Sequence, residues 1–199
     1  MAQQAQNLSV EADECVTLTP DSARFKAVVQ QYRPQSIAEV RKLLGPSAMP
    51  DTAPVRSSCC LPSELTANLP DPEALNAKDE ATRYRARMQA AMAARAYVQA
   101  PDARELKYFE PVLDRYIALT RPILYAFLFG DIDIANGATL TLAKNAHILF
   151  AGNVRMHGSG RIVCKGPTTM RVNSINGRIP TLSVSTSAAA SAVSMARDA

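Results

Sequence analysis

Two histidines, His147 and His157, are the only imidazoles in the 199 residues, so any general base of that kind must be one of them. His157 stands two residues before Ser159 in "GNVRMHGSG", a spacing that suggests a base beside a nucleophile. Such a pair needs a third group to orient the imidazole, and none lies close by in the chain. The thiols sit at Cys15, Cys59, Cys60 and Cys164. No pair has C-x-x-C spacing, and adjacent Cys59 and Cys60 have poor geometry for bonding each other. With so few histidines the reading is free thiols, no metal site and no cofactor. Phosphate-cradling glycine motifs, G-x-S-x-G and H-E-x-x-H do not occur.

Charge is the next candidate for chemistry. Residues 134–199 carry one acid, Asp198, against seven basic residues, while the preceding residues carry 17 acids and 15 Lys/Arg. The scarcity of acids after Asp133 argues against a catalytic carboxylate pair there. Arg155, Arg161, Lys165, Arg171 and Arg178 are candidate anion-binding residues. Displayed together they would suit a glycan, a nucleic acid or lipid headgroups. Exposed aromatics that would stack bases or sugars are missing from 151–199.

The elements that must position these groups fall into two kinds. Residues 1–18 read as a loose start. "TPDSARFKAVVQQY" reads as a helix capped at Thr19, with Phe25, Val28, Val29 and Tyr32 on one face. "SIAEVRKLLG" reads as a second, with Ser36 and Glu39 as a capping box and Gly45 as a left-handed stop. Six of the thirteen prolines lie in 45–72, an extended connector. A long helix is expected from Asp71 to about Gln99, packing through Tyr84, Met88, Ala91 and Met92. "EPVLDRYIALTRP" is a short helix with Val112, Leu113, Tyr116 and Ile117 on one side, ended by Pro122.

After Pro122 the hydrophobic period changes from 3.6 to 2. Apolar pairs recur at Ile132/Ile134, Leu140/Leu142, Ile148/Phe150, Val154/Met156, Ile162/Cys164 and Met170/Val172. The steps between them are 8, 8, 6, 8 and 8, so the pattern starts again after 22 residues. Ile132 maps to Val154, Leu140 to Ile162 and Ile148 to Met170. Seven of the eight glycines lie in 130–177, at the bends between pairs. This predicts a three-sided parallel β-solenoid of short turns; the alternative is an antiparallel β-sandwich. In that register Asp133 faces outward beside Arg155. Leu149 and Val163 also face outward, where polar residues belong, and are therefore the candidate interface.

"IANGAT" and "LAKNAH", within 134–147, resemble the hexapeptide repeat of left-handed β-helix acyltransferases. The resemblance implies that His147, between coils, deprotonates the acyl acceptor. The 22-residue step departs from that family's shorter coil.

Together these features predict an α+β chain. Residues 1–70 hold two short helices and the Pro-rich connector, 71–122 a helical region, 123–185 the β-solenoid and 186–199 a flexible tail. Open strand ends accept another chain, so the expected function is non-catalytic: a structural or interaction module that forms a homo-oligomer or docks on a partner protein. Binding of a polyanion through the basic half and acyl transfer at His147 are the alternatives. The first residues lack a basic and apolar leader, and "ILYAFLF" at 123–129 is too short to span a bilayer. No transmembrane segment and a cytoplasmic location, or secretion by a non-classical route, are expected.

Overall fold

The computed structural model describes residues 6–46, 69–100 and 104–177. The chain divides into two compact units, one drawn from 1–32 and 124–199 and the other from 33–123.

The second unit is helical: α1 (Ile37–Leu44), α2 (Glu80–Gln99) and α3 (Glu110–Thr120). Ser36 caps α1, its hydroxyl accepting the Glu39 N–H at 3.2 Å. The Glu39 carboxylate reaches one residue further back than a standard box and accepts the N–H of Gln35 at 2.7 Å. A second donor at this end, Ile37 N–H, is taken by Asp114 of α3 at 2.7 Å. Arg41 donates to the Tyr97 and Val98 carbonyls at 2.6 and 3.2 Å, so α1 satisfies the orphaned end of α2. Gly45 ends α1 in extended backbone, not the left-handed stop expected. The left-handed residue is Arg121 after α3, at φ 46°, just before Pro122.

α2 starts eight residues later than expected after Asp71, because Asp79, not Asp71, is its cap, accepting the Thr82 N–H at 2.8 Å. Its buried face is also different. Ala86, Ala90, Ala93 and Tyr97 are buried, while Tyr84, Met88 and Met92 are 67%, 47% and 52% exposed. Both stripes have helical spacing; the alanine stripe wins because small side chains let the neighbouring helices approach. Ile37, Val40, Ala93, Tyr97, Leu113 and Ile117 close one core with Leu106 and Phe109.

The first unit contains β1 (Leu8–Val10), β2 (Cys15–Leu18), β3 (Val29–Tyr32), β4 (Leu124–Leu128), β5 (Ile132–Ile134), β6 (Thr139–Leu142), β7 (Ile148–Met156), β8 (Arg161–Cys164) and β9 (Thr169–Asn176). A curled sheet of mixed orientation runs β1-β5-β7-β4-β3, with β9 paired to β7 off this path; a second sheet runs β2-β6-β8. β7 is long enough to pair with β4 through its first residues and with β5 through its last.

The expected fold, an N-terminal helical part followed by a three-sided parallel β-solenoid, is therefore corrected to a mixed α/β chain with, among the described residues, three α-helices and this curled mixed sheet. The helices do not come first. Residues 8–18, read as a loose start, form β1 and β2, which lie parallel to β5 and β6. The expected helix over 19–32 is a 3-10 turn at Ala23–Phe25 followed by β3, which is antiparallel to β4 and makes the sheet mixed. Pairing with β4 satisfies this backbone more fully than an isolated helical turn, and valines tolerate it well. The antiparallel sandwich is excluded too, since six of the seven described pairings are parallel.

Registers show how the core is built. Leu8, Ile132, Val154 and Ile175 align across successive strands, as do Val16, Leu140 and Ile162. Phe127, Leu149 and Met170 form a third ladder. These residues share one apolar cluster with Phe25 and Val28. The offset is 22 residues from β5 to β7 and from β6 to β8, but Leu149 rather than Ile148 opposes Met170, a step of 21.

That single-residue slip reverses the expected pleat of 148–150. Leu149, assigned to an outward interface, is fully buried in the cluster, and Phe150 is only half-buried. Ile148, on the other face, is buried as well.

Candidate functional site

The chemistry-bearing side chains of the first unit lie at its strand ends and bends, and the fold uses most of them. His147 immediately precedes β7. Its backbone N–H donates to the Tyr125 carbonyl at 3.1 Å and its carbonyl accepts the Thr169 N–H at 2.9 Å. Its Nδ1 accepts the Tyr125 N–H at 3.2 Å, and its ring stacks on Tyr125 at 6.3 Å between centroids. The side chain thus continues the ladder between β4 and β7 by one bond. Burial holds its pKa below the ordinary imidazole value, which keeps the accepting lone pair available. The nitrogen facing the neighbouring strand is committed to backbone.

This bond has a pH signature. The folded protein prefers neutral His147, so the unfolded chain takes up the proton first as pH falls. The stabilisation is fully present above the ordinary value of 6.5 and is lost as pH drops through it toward the lower folded value. In denaturation titrations between pH 8 and 5, His147→Gln is expected to keep an acceptor for Tyr125 N–H while removing that part of the acid slope. An unchanged slope would place the titrating group elsewhere.

His157 follows β7 and is exposed. Its Nε2 lies 3.1 Å from the Asp133 carboxylate. The orienting acid absent from the local sequence is thus supplied across the sheet by β5. The nucleophile of the imagined pair is engaged elsewhere: Ser159 Oγ accepts the Gly137 N–H at 3.1 Å and donates to Asn136 Oδ1 at 3.2 Å. Asn136 Oδ1 also accepts the Ser159 N–H at 2.9 Å. These bonds tie together the two bends at 135–138 and 157–160, where Gly137 and Gly158 have φ of +79° and +54°.

A second bend carries a polar ladder that the sequence reading missed. Asn7 Oδ1 accepts the Asp131 N–H at 2.8 Å. Asp131 Oδ1 accepts both the backbone and side-chain N–H of Asn153 at 2.9 Å. Asn153 Oδ1 accepts the Ser174 hydroxyl at 2.7 Å. The Asn153 donors hold the Asp131 carboxyl below the usual carboxylate range. Here Gly152 is required by space: a Cβ would lie 2.7 Å from the Gly130 carbonyl oxygen.

The expected outward pair of Asp133 and Arg155 is opposed in register but bonds differently. Arg155 reaches Asp131 at 3.9 Å, and Asp133 takes His157. The other anion-binding candidates are dispersed. Arg161 lies on β8, where its Nε donates to Thr139 Oγ1 at 3.1 Å, and exposed Lys165 follows that strand. Arg171 is on β9 with its guanidinium 6.0 Å from the Phe150 ring centre. Arg178 lies outside the described residues. Arg155 and Arg171 fall five register positions apart along β7, and Arg161 belongs to the other sheet.

Val163 is half-buried on β8, opposite Thr141. Cys15 and Cys164 are free thiols, on β2 and β8; burial raises the pKa of Cys164 and makes it a poorer nucleophile. Cys59 and Cys60 fall outside the described residues. Among the described residues no group of three His, Cys, Asp or Glu is placed to hold a metal ion, and no helix is long and apolar enough to cross a membrane.

What the sequence reading missed entirely is a copy of its own repeat. Residues 8–18, "LSVEADECVTL", pair with 132–142, "IDIANGATLTL", at a constant offset through both β1 and β2. The signal was present as Leu8/Val10 and Val16/Leu18, spaced like the later pairs. It lacks the glycines that mark the others, and the second unit separates it from them. No protein-family model matches this chain, and neither a curated protein nor a solved structure matches it.

Proposed function

We propose that this protein is a non-catalytic structural module that assembles with other protein chains through the strand edges of its first unit. The observation that carries this reading is the sheet β2-β6-β8. Its outer strands, β2 and β8, each pair on one side with β6, and no described residue pairs with the other side. Edge strands with unmatched backbone donors and acceptors are templates for another chain. The imidazoles support the same reading, because His147 Nδ1 accepts a backbone N–H and Ser159, the candidate nucleophile near His157, bonds Asn136 and Gly137 instead.

Light scattering of the full chain over a concentration and salt series tests the proposal. Mass that rises with concentration supports it, and a strict monomer overturns it. Val163 gives a residue-level check. A lysine on an edge strand discourages pairing, and position 163 is half-exposed. Val163→Lys is expected to weaken association roughly tenfold while leaving the circular dichroism spectrum and the unfolding midpoint close to wild type. Loss of the folded spectrum would show that position 163 belongs to the core.

A further inference from the structure

α2 carries two apolar stripes, and the second unit buries only one of them. Ala86, Ala90, Ala93 and Tyr97 pack inward, while Tyr84, Met88 and Met92 stand exposed on the opposite side of the helix. These three are four residues apart and lie in line along one face. Glu80 stands at the first end of this stripe and Arg95 at the last. Both are exposed, and among the described residues neither side chain has an ion-pair partner.

The other charges of the helix narrow the choice of partner. Arg83 and Arg87 turn away from the stripe and donate to the carbonyls of Ala77 and Leu75, each at 3.0 Å. Only Arg85 and Arg95 remain on the exposed side, against Glu80 and the capping Asp79. Such a face has no excess charge to draw an acidic chain or an anionic lipid surface. Its charge is instead ordered by position, an acid at one end and a base at the other. The partner it fits has the same apolar spacing and the reverse order of charge. A second α2 running antiparallel has both. Counted from Met88, Tyr84 and Met92 lie four residues before and after, and Glu80 and Arg95 lie eight before and seven after.

We propose that the exposed stripe of α2 is a docking surface for a second copy of this chain, the two helices antiparallel and centred on Met88. Met88 of each copy then meets its equivalent on the two-fold axis, with Tyr84 and Met92 on either side. Methionine side chains adapt to such a contact, and their sulfur packs well on an aromatic edge. Arg95 reaches Glu80 of the other copy at both ends, and the opposed helix dipoles favour the same arrangement. A parallel pair would set Arg85, Arg95 and Glu80 each against its own equivalent. The antiparallel contact is isologous and closes at two copies. One face of a helix about 30 Å long covers less than a standard interface, so the pair forms and dissociates with concentration. This surface belongs to the second unit and does not rest on the strand edges of the first.

Disulfide trapping in the full chain tests the geometry, with each link located by peptide mapping because the chain holds four native cysteines. Met88→Cys is expected to link to itself, and to do so equally in a chain that also carries Val163→Lys. A mixture of Tyr84→Cys and Met92→Cys is expected to link one to the other, because these positions meet across the axis while each lies about 12 Å from its own equivalent. Charge reversal gives a second readout, by sedimentation of variants confirmed folded by circular dichroism. Glu80→Arg and Arg95→Glu are each expected to weaken self-association about threefold to tenfold. The chain carrying both changes restores every pair and recovers association, as does an equimolar mixture of the two single variants. Tyr84→Cys linking to itself as readily as to Met92→Cys, or a doubly reversed chain that fails to recover, would overturn the antiparallel geometry. Absence of any link at position 88, with sedimentation unchanged in both charge variants, would overturn the docking of a second copy and leave the stripe to a different protein.

Discussion

Leu149→Ala is expected to destabilise the first unit by about 2–5 kcal/mol, the range for deleting a large aliphatic side chain from a core that cannot collapse around the gap. Leu149 is fully buried, in register with Phe127 on one side and Met170 on the other. All three belong to the main apolar cluster, so truncation removes the middle rung of a ladder. Urea unfolding followed by circular dichroism reads the effect. The result also discriminates between the two pleats of 148–150. A side chain that served an intermolecular surface would leave the unfolding midpoint of the isolated chain nearly unchanged and shift association. A core rung does the reverse, lowering stability at every protein concentration.

Phe25→Ala is expected to cost about 3–5 kcal/mol, as large aromatic truncations do. Phe25 is 4% exposed and meets two rings edge to face, Phe127 at 6.4 Å and Phe129 at 6.2 Å between centroids. Such geometry adds to simple area burial. The consequence is regional as well as global. Phe25 sits in the turn between β2 and β3, so its loss loosens the segment that holds β1, β2 and β3 to the strands after 124. Hydrogen exchange should show faster exchange at amides of 8–32 than at those of β7 and β9. Uniform acceleration across the unit would mean that the N-terminal strands and the later ones open together. Since β2 pairs only with β6 among the described residues, the proposed assembly through its edge leads us to expect that the variant also associates less well than its residual fold would suggest.

The histidines illustrate how a residue suited to chemistry is used by the fold. The hexapeptide-like sequence around His147 implies a general base, yet in the structure its Nδ1 accepts the Tyr125 N–H. His157 acquires the acid its sequence surroundings lack, but Ser159 turns to Asn136 and Gly137. A neighbour two positions away in the chain is not a neighbour in a bend, where successive side chains diverge. The basic residues make the same point. Counted along the chain they form one block, whereas in the structure Arg155 and Arg171 are separated along β7 and Arg161 belongs to a different sheet.

Much of the strand region was legible from the sequence because alternation is a local property. The pairs at 132/134, 140/142, 154/156 and 162/164 are strands, and their 22-residue offset is the pairing register of β5 with β7 and of β6 with β8. Caps were legible for the same reason: Ser36 satisfies a donor within its own turn. Four matters were decided by tertiary structure. Whether 19–32 is helix or strand depended on β4, more than ninety residues away, offering a ladder. Which stripe of α2 is buried depended on how closely its neighbours pack, since the Ala86/Ala90/Ala93 and Tyr84/Met88/Met92 stripes have equally good helical spacing. Which of Ile148 and Leu149 faces the main cluster depended on a one-residue slip against β9, invisible where both residues are large and apolar. Finally, residues 8–18 became the first layer because the chain returns to them after an intervening helical unit. Local sequence determines where a strand can form and which positions alternate. Long-range pairing selects the strand's partner, its buried face and the atoms its polar groups bond, because those energies exist only once distant segments meet.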